Sequence, residues 1–186
     1  MSPRIYVASL SDYVAGYLHG EWIDADQDAD DIHEAVQAML KKSPVARKYG
    51  DVAEEWAIHD YEGFADIEIS EHDSFERVAA LAKLLDKHPA ALVAHFVNDG
   101  HELHAIPDLI SDRLCHTSEE YTEVRAVAEM KHEDLEGRED VPQDIKDRYG
   151  WQLAQIMAED ELNGGEWFTI HVQFEGHNTI YVLSNG

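Results

Sequence analysis

The chain has 186 residues, a length that suits one compact domain or two to three small ones. Its 39 Asp and Glu against 14 Lys and Arg give a formal net charge of −25, which argues against direct nucleic-acid binding because phosphate contacts need Lys and Arg. Acidic chains with few aromatic residues tend to be disordered, but this one has 4 Trp, 8 Tyr and 5 Phe, so a folded core is expected.

The first third of the chain predicts three strands and one helix. Strands are expected at 4–10, at 20–24 and in the first part of the segment EEWAIHDYEGF, residues 54–64. Asp31 and Glu34 have the spacing of a capping box, and Pro44 lies beyond the end of the predicted helix. The helix itself is predicted by apolar residues at helical spacing, which are Ile32, Ala35, Val36, Met39 and Leu40.

The middle of the chain predicts helices only. Apolar spacing predicts helices over 75–85 and 90–97, and a short helix is expected after Pro107. Two longer helices follow, one from 119 to 137 with Ser118 as its cap and one after Pro142.

The end of the chain predicts a β-hairpin with EGHN as its turn, because apolar and polar residues alternate through Phe168, Ile170, Val172 and Phe174. The predicted class is therefore α+β. We expect three modules, a strand-rich one with a helix at 1–69, a helical one at 70–105, and one with helices and the hairpin at 106–186.

No motif in the sequence predicts a metal or cofactor site. The segment DADQDADD (24–31) begins like a calcium loop, but Ala29 and Ala35 occupy the positions that need Gly and Glu. HELH (101–104) is one residue short of the zinc motif H-E-x-x-H. Cys115 is the single cysteine, so no intrachain disulfide framework is possible, and its neighbour His116 does not by itself make a catalytic pair.

The N-terminal segment has no apolar core, so we do not expect it to act as a signal peptide. No stretch approaches the roughly 20 apolar residues of a membrane span. We expect a cytoplasmic protein without a membrane partner.

The distribution of charge is the strongest functional signal. Lys and Arg are absent between Ile5 and Leu40, and also between Tyr49 and Glu76, where ten acids occur. On the predicted long helix, Glu119–Glu123 and Glu129–Glu133 are like-charge pairs at i, i+4, which cost stability. Because such costs are repeated, we interpret the negative charge as functional.

The amount of charge can be compared with DNA. B-DNA carries one charge per roughly 1.7 Å, so 25 net charges match about 40 Å, or about 12 base pairs. An enzyme with a basic DNA cleft would accept such a surface. The acids predicted to imitate phosphates and to contact the partner are Asp24, Asp26, Asp28, Asp30, Asp31, Glu54, Glu55, Asp60, Glu62, Asp66, Glu68, Glu71, Asp73, Glu119, Glu120, Glu123, Glu129, Glu133, Asp134 and Glu136.

The segment EEWAIHDYEGF combines aromatic residues and acids. Trp56, Ile58 and Phe64 are predicted to anchor it in the core, while Tyr61 fits either environment. Asp60 is the exception among the acids, because a regular strand would place it on the same face as Trp56 and Ile58. It is then either a phosphate mimic or a buried, hydrogen-bonded acid.

Two other functions fit the composition. A carboxylate-dependent hydrolase needs two acids to approach each other, but nothing in the sequence singles out a pair. An acidic interaction domain adapted to high salt would use the same acids only for hydration.

Three segments taken together, RIYVASLSDYVAGYLHGEWIDAD, EEWAIHDYEGF and ISEHDSFERVAALAKLL, resemble the ArdA antirestriction family. The resemblance is clear over 4–87 and continues more loosely to the final hairpin. It implies a non-enzymatic DNA mimic, carried by mobile genetic elements, that occupies the DNA-binding cleft of the methyltransferase core of type I restriction–modification enzymes. It also implies an elongated homodimer of three-module chains, with the third module at the dimer interface.

Overall fold

The computed structural model describes residues 2–185, which form two compact units. The first unit ends at Ile106 and the second begins at Pro107. Each unit combines helices with a three-stranded antiparallel sheet, so the α+β class is confirmed. Division of the first unit near residue 69 stays a prediction. Among the described residues, no helix has the length and apolar character needed to cross a membrane.

The first unit is built around a sheet in which the first strand of the chain is central, with strand order β2-β1-β3. Its elements are β1 (Arg4–Ser9), α1 (Leu10–Val14), β2 (Gly20–Asp24), α2 (Ala29–Leu40), α3 (Pro44–Tyr49), β3 (Trp56–Glu62), α4 (Phe75–Lys87), α5 (Ala90–Asn98) and a 3-10 helix at Leu103–Ala105. The three predicted strands and the helices predicted over 75–85 and 90–97 are confirmed.

One face of this sheet and the helices α2 and α4 share the core of the first unit. Helix α2 contacts both β2 and α4. The periodic apolar residues of α2 are buried, which is why this segment is helical in its tertiary context. The largest fully buried side chains of the unit are Ile5, Ile32, Met39, Leu40, Phe64, Ile67, Leu81, Leu92, Phe96 and Ile106.

Helices α1 and α3 are absent from the sequence prediction. They have five and six residues, too few for a periodic pattern to emerge. Both depend on serine caps instead, because Ser9 Oγ accepts from the N–H of Asp12 and Ser43 Oγ accepts from that of Ala46.

The predicted start of α2 is wrong. The helix begins at Ala29 with Asp28 at the N-cap position, so Asp31 lies inside the first turn and does not cap it. Acids in the first turn are favourable beside the positive end of the helix dipole, so the helix extends through them.

Helix α6 (Ile106–Arg113) begins at the last residue of the first unit. The second unit continues with β4 (Leu114–Ser118), α7 (Glu123–Gly137), α8 (Gln143–Gly164), β5 (Trp167–Phe174) and β6 (His177–Ser184). Its strand order is β4-β6-β5, with β6 in the centre. Helices α7 and α8 pack against each other, and α7 also contacts β4 and β6. The core includes Ala126, Val127, Ala128, Met130, Leu135, Ala154, Ala158, Ile180 and Val182.

Two predictions for the second unit are wrong. Residues 114–118 form strand β4, and Ser118 ends that strand instead of capping a helix. Helix α7 begins at Glu123, and its cap is Thr122, whose Oγ1 accepts from the N–H of Arg125. Consequently Glu119 and Glu120 precede the helix, and the expected i, i+4 pair of Glu119 with Glu123 does not form on it.

The final hairpin is confirmed, with a shorter turn than EGHN. Strand β5 ends at Phe174 and β6 begins at His177, so the turn residues are Glu175 and Gly176. Both have positive φ, 50° and 85°, as a two-residue type I′ turn requires, and glycine suits this conformation.

Candidate partner-binding surface

The five predicted acids from the end of β2 to the start of α2 are all exposed. Asp24 ends β2, Asp26 and Asp28 lie in the connection, and Asp30 and Asp31 lie in the first turn of α2. Asp28 is ion-paired, with 2.6 Å between its Oδ1 and Lys83 Nζ, and this hydrogen bond lowers its pKa. The connection therefore presents its carboxylates to solvent from a rigid strand–helix junction.

The segment EEWAIHDYEGF separates its aromatic residues from its acids. Ile58 and Phe64 are buried, and the half-buried Trp56 ring stacks on Phe75 with 4.3 Å between centroids. These three predicted anchors are confirmed, and Tyr61 is half-buried. Glu54 and Glu55 are exposed just before β3. The anchors thus fix the strand that carries the acids.

Asp60 is exposed, so it is not the buried acid that the sequence left as one alternative, and its role as a phosphate mimic stays a prediction. The register between β1 and β3 shifts there, because Val7 pairs with Ile58 while Tyr6 pairs with Asp60. The extra residue is a β-bulge that breaks the alternation of faces. Asp60 Oδ1 accepts from the Tyr61 N–H at 2.8 Å, so the acid is held by its own strand and still faces solvent.

The segment after β3 alternates between core and solvent. Ile67 and Ile69 are buried, whereas Asp66 and Glu68 between them, and Glu71 after them, are exposed. The Glu71 carbonyl accepts from the Ile58 N–H at 3.0 Å, which ties the segment to β3. The period of two from 66 to 69 places Asp66 and Glu68 on the side that faces solvent.

Four of the twenty predicted acids are half-buried, and each has a polar partner. Glu62 pairs with Arg4, Asp73 with Arg77 and Glu120 with Arg125, at 2.6, 3.3 and 3.0 Å. Glu129 accepts from Ser118 Oγ at 2.6 Å and lies 3.3 Å from His116 Nε2. The Ser118 hydrogen bond lowers the pKa of Glu129 despite its partial burial. These four acids also hold local structure together.

The remaining acids of the second unit are exposed on or just before α7. Glu119 lies in the connection after β4, and Glu123 is the first residue of α7. Further along that helix, Glu133, Asp134 and Glu136 are exposed, and Glu129 with Glu133 forms the predicted like-charge pair at i, i+4. Sixteen of the twenty predicted acids are therefore exposed.

Both units carry nearly the same charge. Residues up to Ile106 include 21 Asp and Glu and 8 Lys and Arg, a formal charge of −13. Residues from Pro107 include 18 acids and 6 bases, a formal charge of −12. The negative charge therefore belongs to the whole chain and is not confined to one site.

The structure also contains buried charged groups that sequence reasoning missed. Lys131 is buried on α7, 2.5 Å from Glu161 Oε2, which also accepts from Trp167 Nε1 at 2.6 Å. Burial raises the pKa of Glu161, but the bonds from Lys131 and Trp167 outweigh it and lower the pKa. The signal in the sequence was Lys131 at helical spacing from Val127, Ala128 and Leu135 on the apolar face.

Asp12 is a buried acid in the first unit. Its side chain is fully enclosed, and Oδ1 accepts from the Val45 N–H at 2.9 Å, so it joins α1 to the start of α3. Burial acts to raise its pKa, but hydrogen bonds involving Ser43, Ser9 and the Val45 N–H lower it overall.

Within residues 2–185, no group of three or more His, Cys, Asp or Glu side chains is arranged to hold a metal ion. His101 of the HELH segment lies 3.3 Å from Asp99, and this segment leads into the 3-10 helix. The exposed acids are instead distributed over the surface of each unit.

Comparison with known proteins gives a family. The family described as antirestriction protein (ArdA) matches residues 5–175, which is most of the 186-residue chain and extends from β1 into the turn after β5. A search of curated proteins gave no significant match. This match over most of the chain shows that it belongs to the ArdA family of antirestriction proteins.

Proposed function

We propose that this protein is a non-enzymatic DNA mimic that inhibits type I restriction–modification enzymes. Its acids would occupy the DNA-binding cleft of the methyltransferase core. The observation that carries the proposal is the exposure of sixteen of the twenty predicted acids, which lie in both units on helices, strands and the connections between them. Family membership supplies the antirestriction activity, and the charge pattern supports mimicry as its means.

The physical basis is electrostatic complementarity. A DNA-binding cleft is lined with Lys and Arg that have been selected for a dense row of negative charges. Exposed carboxylates fixed by buried anchors meet the same cations without the entropy cost of ordering a flexible acidic tail. Complementary charge also steers the two proteins together and raises the association rate.

The proposal includes a homodimer in the cytoplasm. Strand β5 is at the edge of its sheet, and it alternates Phe168, Ile170, Val172 and Phe174 along one face. Phe174 is exposed and the other three are partly exposed, so this face offers apolar area to a second copy. A two-fold dimer would double the length of charged surface to about 24 base pairs of duplex.

The test is a DNA-binding assay with a purified type I methyltransferase core and a labelled duplex that carries its recognition site. Added protein should displace the duplex at low salt, and its potency should fall as NaCl rises, because screening weakens the contacts. Absence of displacement at low salt would refute the proposal.

Neutralising the predicted acids in groups distinguishes a DNA mimic from a hydrolase. Asp-to-Asn and Glu-to-Gln changes, made in sets at 24–31, 54–62, 66–73 and 119–136, should each weaken inhibition in a graded way. A carboxylate-dependent enzyme would instead lose all activity when one acid of its pair is replaced. Complete loss of inhibition from a single neutralised acid would contradict distributed mimicry.

A further inference from the structure

An uncharged, apolar tip projects from the first unit between β1 and β2. We define the tip as Tyr13, Val14, Tyr17 and Leu18. All four are exposed, and Val14 and Leu18 are 86% and 90% exposed. Asp12 is the only charged residue between Leu10 and Gly20, and it is buried. In a chain with a net charge of −25, a surface without exposed charge cannot contribute to phosphate mimicry.

The tip is rigid because its backbone is tied at several points. Ser9 Oγ caps α1, and the Tyr17 N–H donates to the Asp12 carbonyl at 2.9 Å. Gly16 has a φ of +82°, which lets the chain reverse between the two halves of the tip. At the exit of the tip, His19 Nε2 lies 2.9 Å from the Met39 carbonyl. The apolar side chains are therefore presented in a fixed arrangement.

The tip lies beside acids that belong to the proposed binding surface. The Leu10 N–H donates to the Glu55 carbonyl at 3.0 Å, which places the base of the tip at the start of β3. The Tyr13 ring contacts the His59 ring edge-on, with 4.8 Å between centroids, and His59 lies 4.0 Å from Glu71. The exposed residues Glu55 and Glu71 thus border an apolar area.

We infer that the tip is a hot spot of the inhibitory complex, inserting into an apolar recess whose rim is lined with Lys and Arg at the edge of the target's DNA-binding cleft. The apolar residues of the tip match the apolar recess, and the acids that border the tip match the Lys and Arg on its rim. Tyr13 and Tyr17 are of a residue type that is enriched among residues that dominate binding energy, and Val14 and Leu18 beside them add apolar area that is buried on binding. This inference rests on the proposed function, and it adds a contact that DNA does not make.

The two kinds of contact differ in their response to salt. Binding by carboxylates releases counterions and weakens as salt rises, whereas burial of Val14 and Leu18 is nearly independent of salt at moderate concentrations. A plot of log Kd against log [NaCl] therefore separates them. Changes in the tip shift the line without altering its slope, and neutralised acids reduce the slope.

The experiment measures Kd of the full-length protein for a type I methyltransferase core at five NaCl concentrations. We expect Val14→Ser with Leu18→Ser to weaken binding at least tenfold at every salt concentration, with an unchanged slope. Glu54→Gln with Glu55→Gln should reduce the slope. Val52→Ser is the matched control, because Val52 is 73% exposed in a different connection.

The outcomes are distinguishable. If wild-type protein binds and the tip variant binds equally well, or no more weakly than Val52→Ser, the tip inference is overturned and the proposed function stands. If wild-type protein does not bind at low salt, both fail. A lower oligomeric mass of the tip variant would place the tip between copies of this chain and would also overturn the inference. Circular dichroism should show unchanged folding, since the replaced side chains are exposed.

Discussion

At the scale of single residues, the environment of a carboxylate decides its role. Asp60 is exposed and accepts a hydrogen bond from the Tyr61 N–H of its own strand, so it presents charge to solvent. Glu161 is held between Lys131 and Trp167, and Asp12 is enclosed beside two serines. Acidic composition alone cannot separate these roles, because it counts all three carboxylates alike.

Asp12 gives a residue-scale prediction. Replacement by Asn removes the charge that the Val45 N–H and neighbouring hydroxyls stabilise, and should lower the free energy of unfolding at pH 7 by about 1–3 kcal/mol. The pKa of Asp12 in the folded state is below the ordinary value of 3.8. The stability that the ionised Asp12 contributes is therefore present above pH 3.8 and is lost as pH falls through the folded-state pKa. Urea unfolding at pH 7 and pH 3 should therefore show a smaller difference between the two proteins at pH 3. An equal difference at both pH values would contradict this account.

At the scale of elements, sequence patterns predicted those helices and strands that bury a periodic apolar face. They failed for α1 and α3, which are too short to show periodicity, and for β4, which is stabilised by pairing with β6 about 65 residues later. The bulge that exposes Asp60 was also missed, because register depends on the partner strand β1 and not on the local sequence of β3.

The candidate acids were easier to predict than their surroundings. Exposure of most of them follows from the cost of burying a charge, a rule that needs no structure. The Arg partners of Glu62 and Glu120 were not predictable, since they depend on strand register and on where α7 begins. The apolar tip was also missed, because apolar residues in a short segment normally indicate a strand or a core.

The apolar face of β5 gives the element-scale prediction. Ile170→Asp places a charge in the middle of the face that we propose for the dimer, and burying it without a partner is costly. Multi-angle light scattering should therefore give the mass of a monomer for this variant and of a dimer for the wild type. Gln173→Asp on the opposite, exposed face of the strand is the control and should stay dimeric. A wild-type mass near 21.1 kDa would contradict the dimer proposal.

At the scale of the whole molecule, the two units share the charge almost equally, so self-repulsion acts throughout the chain. Both units nevertheless have buried apolar cores, which supply the main stabilising term. Thermal unfolding at 20 mM NaCl should thus be cooperative, with Tm rising by a few degrees as salt screens the repulsion. A protein that folds only in molar salt would support adaptation to high salt instead.

The central claim is that this protein and DNA compete for one cleft. The most direct measurement is the apparent inhibition constant for displacement of a labelled duplex from a type I methyltransferase core, determined at several duplex concentrations and fixed salt. Competition for one site predicts that the apparent constant rises linearly with duplex concentration. An apparent constant that does not change with duplex concentration would mean that the protein binds elsewhere on the enzyme, and would contradict DNA mimicry.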